Sequence, residues 1–166
     1  MDHVLRTERL VLRPARANDR AVLTEHWGAP DVRRFLFDGQ VVPAEEIAAV
    51  ITASERDFTG HPLWIIESEG VFVGAAALRP LDELGQEILY SLAPEAWGRG
   101  YATEAARAVV DHALGPLGLP EVLAEIDEGN VASVAVVERL GMTPFAVVPG
   151  ELGPMTRYRA RPRGAP

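Results

Sequence analysis

The spacing of apolar and polar residues along the chain predicts an alternation of strands and helices. Leu10 and Leu12 face one way while Val11 and Arg13 face the other, which predicts a first strand over residues 5–15. Apolar positions three and four residues apart predict helices, and short apolar runs between Gly and Pro turns predict further strands. The predicted helices span residues 19–27, 31–37, 44–58, 101–114 and 131–140, and the later strands span residues 63–67, 71–78, 86–92, 121–127, 145–148 and 157–160.

This order of elements predicts a single α/β (α+β) domain over residues 1–166, with a mixed central sheet of about seven strands and helices on both faces. A chain of 166 residues can bury one hydrophobic core and has the usual size of one domain. Residues 161–166 follow the last predicted strand and are expected to form a frayed tail.

A glycine-containing turn joins the strand at 86–92 to the helix that begins near residue 101. Gly98 and Gly100 lack Cβ atoms, so the chain can take left-handed backbone angles there and a ligand can approach the main chain closely. Ala102 is the next small residue. The backbone N–H groups of residues 98–103 and the positive end of the helix dipole then point at one place, which suits a phosphate.

Three kinds of phosphate loop compete for this turn. A P-loop requires a lysine, and the chain has no lysine, which excludes it. A dinucleotide-binding turn requires a third glycine where Thr103 stands, which argues against it. The third kind is the pyrophosphate loop of acyl-coenzyme A transferases, and an ordinary glycine turn before a helix stays open as the alternative.

The segment Trp97-Gly98-Arg99-Gly100-Tyr101-Ala102 resembles the Q/R-x-x-G-x-G/A loop of the GNAT N-acetyltransferase superfamily, with Trp97 in place of the usual Gln or Arg. That tryptophan and the following Tyr-Ala-Thr-Glu-Ala are similar to the branch that includes the ribosomal-protein N-terminal acetyltransferases of RimJ/RimL type. Residues 7–14 resemble the opening strand of this branch, and residues 130–142 resemble its Asn-x-x-Ser helix. The resemblance extends from Thr7 to Ala160.

The resemblance implies the GNAT acyl-CoA N-acyltransferase fold, with acetyl-CoA as cofactor and no metal. In that fold the strands ending at Leu92 and Asp127 run parallel and splay apart, and the arm of the coenzyme lies in the gap. Backbone groups of the strand then hold the pantetheine, and the Leu92 amide faces the thioester carbonyl. The cofactor-binding residues implied are Tyr90, Ser91 and Leu92 for the arm, Gly98, Arg99, Gly100, Tyr101, Ala102 and Thr103 for the pyrophosphate, and Asn130 and Ser133 beside them.

Catalysis requires a neutral amine and a proton for the leaving thiolate. An α-amine has a pKa of about 8 and a lysine-like amine one of about 10.4, so only the second needs a strong base. Glu125 and Glu87, on the strands beside the expected gap, are the two candidate bases, and the choice between them stays open. Val137 stands where one subgroup of the family has an acidic tyrosine, so Ser133 is the candidate acid, or else completes a helix cap.

The acceptor is expected to be a protein N-terminal amine or a small-molecule amine, because the resemblance does not separate the two. His26, Trp27 and Phe37 fall in the segment that lines the acceptor pocket in this family, although such residues suit the core equally well. Phe35 beside them is better suited to the core. A second hypothesis, from a different class, is a non-catalytic domain that binds acyl-CoA without turnover.

The composition of the chain limits the classes of molecule that it can be expected to bind. The formal net charge of −8 argues against nucleic acid and suits cationic ligands such as amines, although it also serves solubility alone. The absence of cysteine excludes disulfides and cysteine nucleophiles, and the four scattered histidines have no metal-ligand spacing. No apolar run has the length of a signal peptide core or a membrane span, so we expect a cytoplasmic monomer or homodimer.

Overall fold

The computed structural model describes residues 2–164 and contains one eight-stranded sheet. Its strands are β1 Leu5–Arg6, β2 Val11–Pro14, β3 Leu63–Ser68, β4 Val71–Leu81, β5 Gly85–Leu92, β6 Val122–Asp127, β7 Thr143–Gly150 and β8 Gly153–Ala160. They lie in the order β1-β2-β3-β4-β5-β6-β8-β7, and every neighbouring pair is antiparallel except β5 with β6. The predicted fold class is confirmed, with eight strands instead of about seven.

Five helices cover the two faces of the sheet. They are α1 Arg20–Gly28, α2 Pro30–Arg33, α3 Ala44–Arg56, α4 Tyr101–Leu114 and α5 Val131–Arg139. One core cluster joins α4 and α5 to a face of the sheet through residues such as Val109, Val137 and Ala124. The other joins α1, α2 and α3 to the opposite face through residues such as Ile47 and Ile65.

The first predicted strand is divided into two in the structure. The Thr7 N–H donates to the Leu10 carbonyl over 2.9 Å and closes a turn, after which β2 folds back on β1 with Leu5 opposite Leu12. The alternation is interrupted over residues 6–9, which are four consecutive polar residues, and this interruption is the signal in the sequence for the turn that the prediction of one strand missed. The helix predicted over residues 31–37 also ends early, at Arg33.

Three features complete the description of the chain. Residues 161–164 of the predicted frayed tail follow β8 as coil and turn, and residues 165 and 166 lie outside the described residues, as does residue 1. Within residues 2–164, no helix is both long and apolar enough to cross a membrane. In the same range no group of three or more His, Cys, Asp or Glu side chains is arranged to hold a metal ion.

Candidate active site

The sheet opens into a fork between β5 and β6. A single bridging pair, Glu87 with Leu123, joins these two strands within the described chain, although both strands continue beyond it. Past this pair, within the described residues, no further bridging pair joins the two strands up to their ends at Leu92 and Asp127. A gap at the carboxyl ends of two parallel strands is a common place for a ligand in a sheet of this kind.

Backbone polar groups of β5 face this gap. The Ala93 N–H donates to the Val73 carbonyl over 2.8 Å, and bonding to a partner strand alternates along an antiparallel pair. Ser91 therefore bonds to β4, while Tyr90 and Leu92 turn their N–H and C=O groups toward β6, which supplies no bridging pair there. The Trp97 indole N–H donates to the Leu92 carbonyl over 2.9 Å, so the Leu92 N–H and both Tyr90 groups are left for a ligand.

The turn after β5 presents a row of free amides. Gly98 and Gly100 have φ angles of 77° and 80°, which only glycine adopts without strain, as the sequence predicted. Within residues 2–164, the N–H groups of 98–103 donate to no protein acceptor, and Gly100 provides α4 with no side-chain cap. The Thr103 hydroxyl, in the first turn of α4, is buried and has no partner in the same range. These free donors fit an anionic group such as a diphosphate.

The turn is held in place by the segment between β1 and β2, a contact that no pattern in the sequence indicates. The Arg9 guanidinium donates to the Arg99 carbonyl over 2.7 Å and lies 4.7 Å from the centre of the Tyr101 ring. Glu104 accepts from the Arg9 side chain over 2.7 Å and from its backbone N–H over 2.9 Å, and it also accepts from the Thr7 hydroxyl. Arg99 itself is exposed to solvent.

Asn130 and Ser133 lie at the start of α5, on the far side of the gap. The Asn130 side-chain oxygen accepts the Ser133 N–H over 3.3 Å, which makes Asn130 the N-cap of α5. The Tyr90 hydroxyl lies 3.5 Å from the Ser133 carbonyl oxygen, and burial raises the pKa of this tyrosine. Val137 is fully buried in the core.

Both predicted bases are paired with arginines on neighbouring strands. Glu87 lies opposite Arg79 on β4 and accepts from its guanidinium over 2.7 Å; it is 4% exposed. Burial raises the pKa of Glu87, and the Arg79 charge opposes that shift. Glu125 lies opposite Arg157 on β8 and accepts from it over 2.7 Å. Each carboxylate is thus already engaged by a cation.

Ser91 is the point where α1 meets β5. Its hydroxyl accepts the Trp27 indole N–H over 3.3 Å and lies 2.9 Å from His26 Nε2. His26 is buried, its ring packs edge-on against Phe72, and burial lowers the pKa of His26 to about 4. His26 is therefore neutral at physiological pH and holds the Ser91 hydroxyl in position.

An apolar cavity of about 420 Å³ lies beside Ser91, between the sheet and the helices α1 and α3. Alanines at 53 on α3 and at 75 and 77 on β4 leave this space, because the two walls that face each other carry small side chains. The aromatic rings of Trp27 and Phe37 line it, packed edge to face with centroids 5.4 Å apart. Its few polar side chains are those of Glu46, His61, Arg79 and Ser91.

The predicted acceptor residues therefore separate into two groups. Trp27 and Phe37 contribute walls of the cavity, whereas His26 lies behind Ser91 and does not line it. Phe35 lies elsewhere, next to Gly129 at the end of β6, where a Cβ atom on that glycine would be 3.7 Å from the ring. The run of small residues Gly74-Ala75-Ala76-Ala77 is the sequence signal that could have indicated the cavity.

Comparison with known proteins gives a consistent set of similarities. The chain matches a family model described as Acetyltransferase (GNAT) domain over residues 9–143. It is 35% identical over 130 residues to YkkB, an uncharacterized protein of Bacillus subtilis, with 75% of this chain and 70% of that protein covered. It is 32% identical over 151 residues to the FsC-acetyl coenzyme A-N(2)-transacetylase of Aspergillus fumigatus, with 84% of this chain and 64% of the fungal protein covered.

Among solved structures, the fold is similar to that of RimL, a ribosomal L7/L12 alpha-N-protein acetyltransferase, in complex with coenzyme A. The TM-score is 0.81 and the sequence identity 17%, and the match covers 96% of this chain and 98% of the other. At this identity the similarity concerns the fold alone.

Proposed function

Because the chain belongs to the GNAT acetyltransferase family, we propose that it moves an acetyl group from acetyl-CoA to a primary amine by direct attack in a ternary complex. The observation that carries this proposal is the joining of three features at one place. The end of β5 borders the fork and contributes residues 89–91 to the wall of the apolar cavity, and the free amides follow in the turn that leads from β5 to α4. A domain that only bound the coenzyme would have no use for the cavity.

The amides of residues 98–103 bind the pyrophosphate of acetyl-CoA in this proposal. They are free donors at a helix N-terminus, and the helix dipole adds a favourable potential for an anion. The exposed Arg99 side chain lies on the same turn and supplies further donors. Arg9 and Glu104 keep the turn in shape without touching the ligand.

The pantetheine arm lies in the fork, hydrogen-bonded to β5 as an additional strand would be. Tyr90 offers both its N–H and its carbonyl, and Leu92 offers its N–H, which is the donor suited to the thioester oxygen. The cofactor supplies an activated acetyl group at this point. Ser133 and Tyr90 face it from the α5 side, and their hydroxyls are the candidate proton donors to the departing sulfur.

The acceptor occupies the cavity beside Ser91. A volume of about 420 Å³ falls within the usual range for small-ligand sites, and the walls are mostly apolar. Such walls suit an amine carried on an aromatic or branched aliphatic body, including an N-terminal residue with an apolar side chain. Polyamines and aminoglycosides, with several charges each, would lack partners on these walls.

The loop assignment is tested by Gly100→Trp. A tryptophan at this left-handed position strains the turn and directs its side chain toward the Arg9 guanidinium that holds the turn, so we expect the Kd for acetyl-CoA, measured by calorimetry, to rise at least ~100-fold. Gly118→Trp is the matched control, because Gly118 also has a positive φ, 67°, but lies beyond the other end of α4, about 20 Å away. It should lose similar stability and bind acetyl-CoA normally. Normal binding by Gly100→Trp would contradict the assignment.

Turnover is tested separately, by thiol release from acetyl-CoA with a panel of aryl, alkyl and polyamine acceptors and short peptides. Release that depends on one class of amine supports the transferase. Saturable acetyl-CoA binding with no release on any acceptor would leave the non-catalytic binding domain as the better description.

A further inference from the structure

Asp127 occupies the open end of the fork on the acceptor side of the sheet. Glu87 and Leu123 are directly paired, and Ser91 and Asp127 each lie four residues further along their own strands, where no bridging pair joins β5 to β6 within the described chain. Alternation along each strand keeps the side chains of Ser91 and Asp127 on the same face as that pair. The Asp127 side chain thus lies on the same face of the sheet as the Ser91 hydroxyl, on the other side of the gap, next to the cavity wall but outside the residues that line the cavity.

One oxygen of the Asp127 carboxylate is buried without a hydrogen-bond partner among the described residues. The residue is 5% exposed, and its Oδ1 atom, fully buried, accepts no hydrogen bond within residues 2–164. Burial raises the pKa of Asp127, and the charges of Asp38, on the turn after α2, and of Glu125, on β6, raise it further. A desolvated carboxylate that lacks donors and faces two other acids is unfavourable unless a cation joins it.

No arginine of the fork fills that role. Arg157, the cation nearest in register, is bound to Glu125 at 2.7 Å and also approaches Asp82 at 3.8 Å. Arg79 is bound to Glu87 at the closed end of the fork. The two glutamates are thus neutralised by protein cations, whereas Asp127 is left for a cation that comes from outside.

We propose that Asp127 binds the protonated amine of the acceptor and takes its proton, so that Asp127, and neither Glu125 nor Glu87, is the base of the reaction. This rests on the proposed function and names the substrate class further: a primary aliphatic amine, cationic in solution, with its apolar body in the cavity and its nitrogen between Ser91 and Asp127. Asp38 and Glu125 strengthen the negative potential that attracts the amine.

The proton balance of the step is complete. The ammonium gives one proton to the Asp127 carboxylate, and the neutral nitrogen forms a bond to the thioester carbonyl carbon. The carbon–sulfur bond breaks, the sulfur leaves with the bonding electron pair, and the second proton of the nitrogen passes to it through a hydroxyl or a water. Asp127 then releases its proton to solvent, so that each turnover yields one amide, one thiol and one free proton.

The test compares Asp127→Asn with the wild type on two acceptors of nearly the same shape. 2-Phenylethylamine is mostly protonated at neutral pH, and its β,β-difluoro analogue is much less so. Loss of a base should lower kcat/KM for 2-phenylethylamine about 100-fold and for the fluorinated amine only a few-fold. The rate of the variant should also rise about tenfold per pH unit as the amine itself loses its proton.

Two further measurements test the role of Asp127. The first measures binding of the amine without turnover, and the second controls for effects of the substitution on folding and charge. Calorimetry should show 2-phenylethylammonium binding to the wild type and binding at least ~10-fold weaker to Asp127→Asn, with acetyl-CoA bound equally by both. Asp111→Asn, the same change at an exposed position on α4, is the control for folding and charge and should match the wild type.

Equal losses on both amines would overturn the role as a base, and wild-type levels on both would overturn the site altogether. Failure of 2-phenylethylamine to bind the wild type would likewise overturn the proposal, while thiol release with another amine of the panel would leave the proposed function intact. Absence of release with every amine would instead count against the proposed function.

Discussion

At the scale of single residues, the site depends on side chains whose protonation is set by burial. His26 is enclosed between α1, Phe72 and Ser91, and its pKa falls to about 4 because the charged ring would lose its hydration there. A neutral His26 can hold the Ser91 hydroxyl without placing a positive charge beside an amine. This arrangement suits a site that must admit a cation.

His26 therefore makes the free energy of unfolding depend on pH. In the unfolded chain the ring takes a proton near the ordinary histidine pKa of 6.5, but in the folded chain only near 4, so folding is weakened as the pH falls between these values. The difference amounts to about 3 kcal/mol. We expect urea unfolding of the wild type and of His26→Asn to show a constant gap above pH 7, which then changes by about that amount toward pH 4. If the free energies of unfolding of the two proteins keep the same difference at every pH, the lowered pKa of His26 is contradicted.

The sequence predicts individual residues well where the constraint is local. The left-handed angles of Gly98 and Gly100 follow from the absence of a Cβ atom and were predictable. The pairing of Glu125 with Arg157 joins residues 32 positions apart through β6 and β8, and strand register cannot be obtained from one sequence. For the same reason the sequence alone does not single out Asp127, although alternation places it on the face of Glu125.

At the scale of elements, the α5 helix begins with a side-chain cap. Asn130 accepts the Ser133 N–H and so satisfies one of the free donors of the first helical turn. The Asn-x-x-Ser spacing predicted both the helix start and the cap, because the signal is contained within four residues. The division of the first strand into β1 and β2 was missed although the polar run over residues 6–9 marks it, and the turn there is held by Glu104 on α4, far along the chain.

The cap can be separated from the cofactor contact by experiment. Asn130→Ala should destabilise the protein by about 1 kcal/mol, equivalent to about 2–4 °C in Tm, while Asn130→Asp, which keeps the acceptor oxygen, should stay close to the wild type. Thermal unfolding measures the cap, and calorimetry with acetyl-CoA measures the contact. If the alanine variant loses stability but binds acetyl-CoA like the wild type, Asn130 is a cap alone.

At the scale of the whole molecule, the cavity lowers the stability of the fold and, in the proposed function, provides the space for the acceptor. A folded core is normally close-packed, so a space of about 420 Å³ between α3 and the sheet lowers stability relative to a filled one. The general order of layers was predictable from hydrophobic spacing, but the cavity was not, because it depends on how far α3 lies from β4. That distance is set by packing of the complete chain.

A side chain that fills the cavity should therefore increase the stability of the protein and decrease its activity on the acceptor. Ala53→Leu adds three carbons to its α3 wall and is expected to raise the free energy of unfolding by about 1 kcal/mol, measured by urea titration. It should also lower kcat/KM for an apolar amine about tenfold and leave the Kd for acetyl-CoA unchanged. Ala21→Leu, the same change at an exposed position on α1, should do neither. An unchanged kcat/KM in Ala53→Leu would show that the acceptor binds elsewhere.

The single bridge between β5 and β6 has a consequence for how the protein lives in the cell. Beyond that bridge, no backbone ladder within residues 2–164 joins the strands β6, β8 and β7 to the rest of the sheet across this seam. Side-chain contacts hold the two parts together there, among them the shared hydrophobic core and the approach of Arg157 to Asp82 at 3.8 Å. A coenzyme bound in the seam would contact both parts of the sheet and stabilise the folded protein. Resistance to proteolysis would therefore increase and decrease with the cellular concentration of acetyl-CoA.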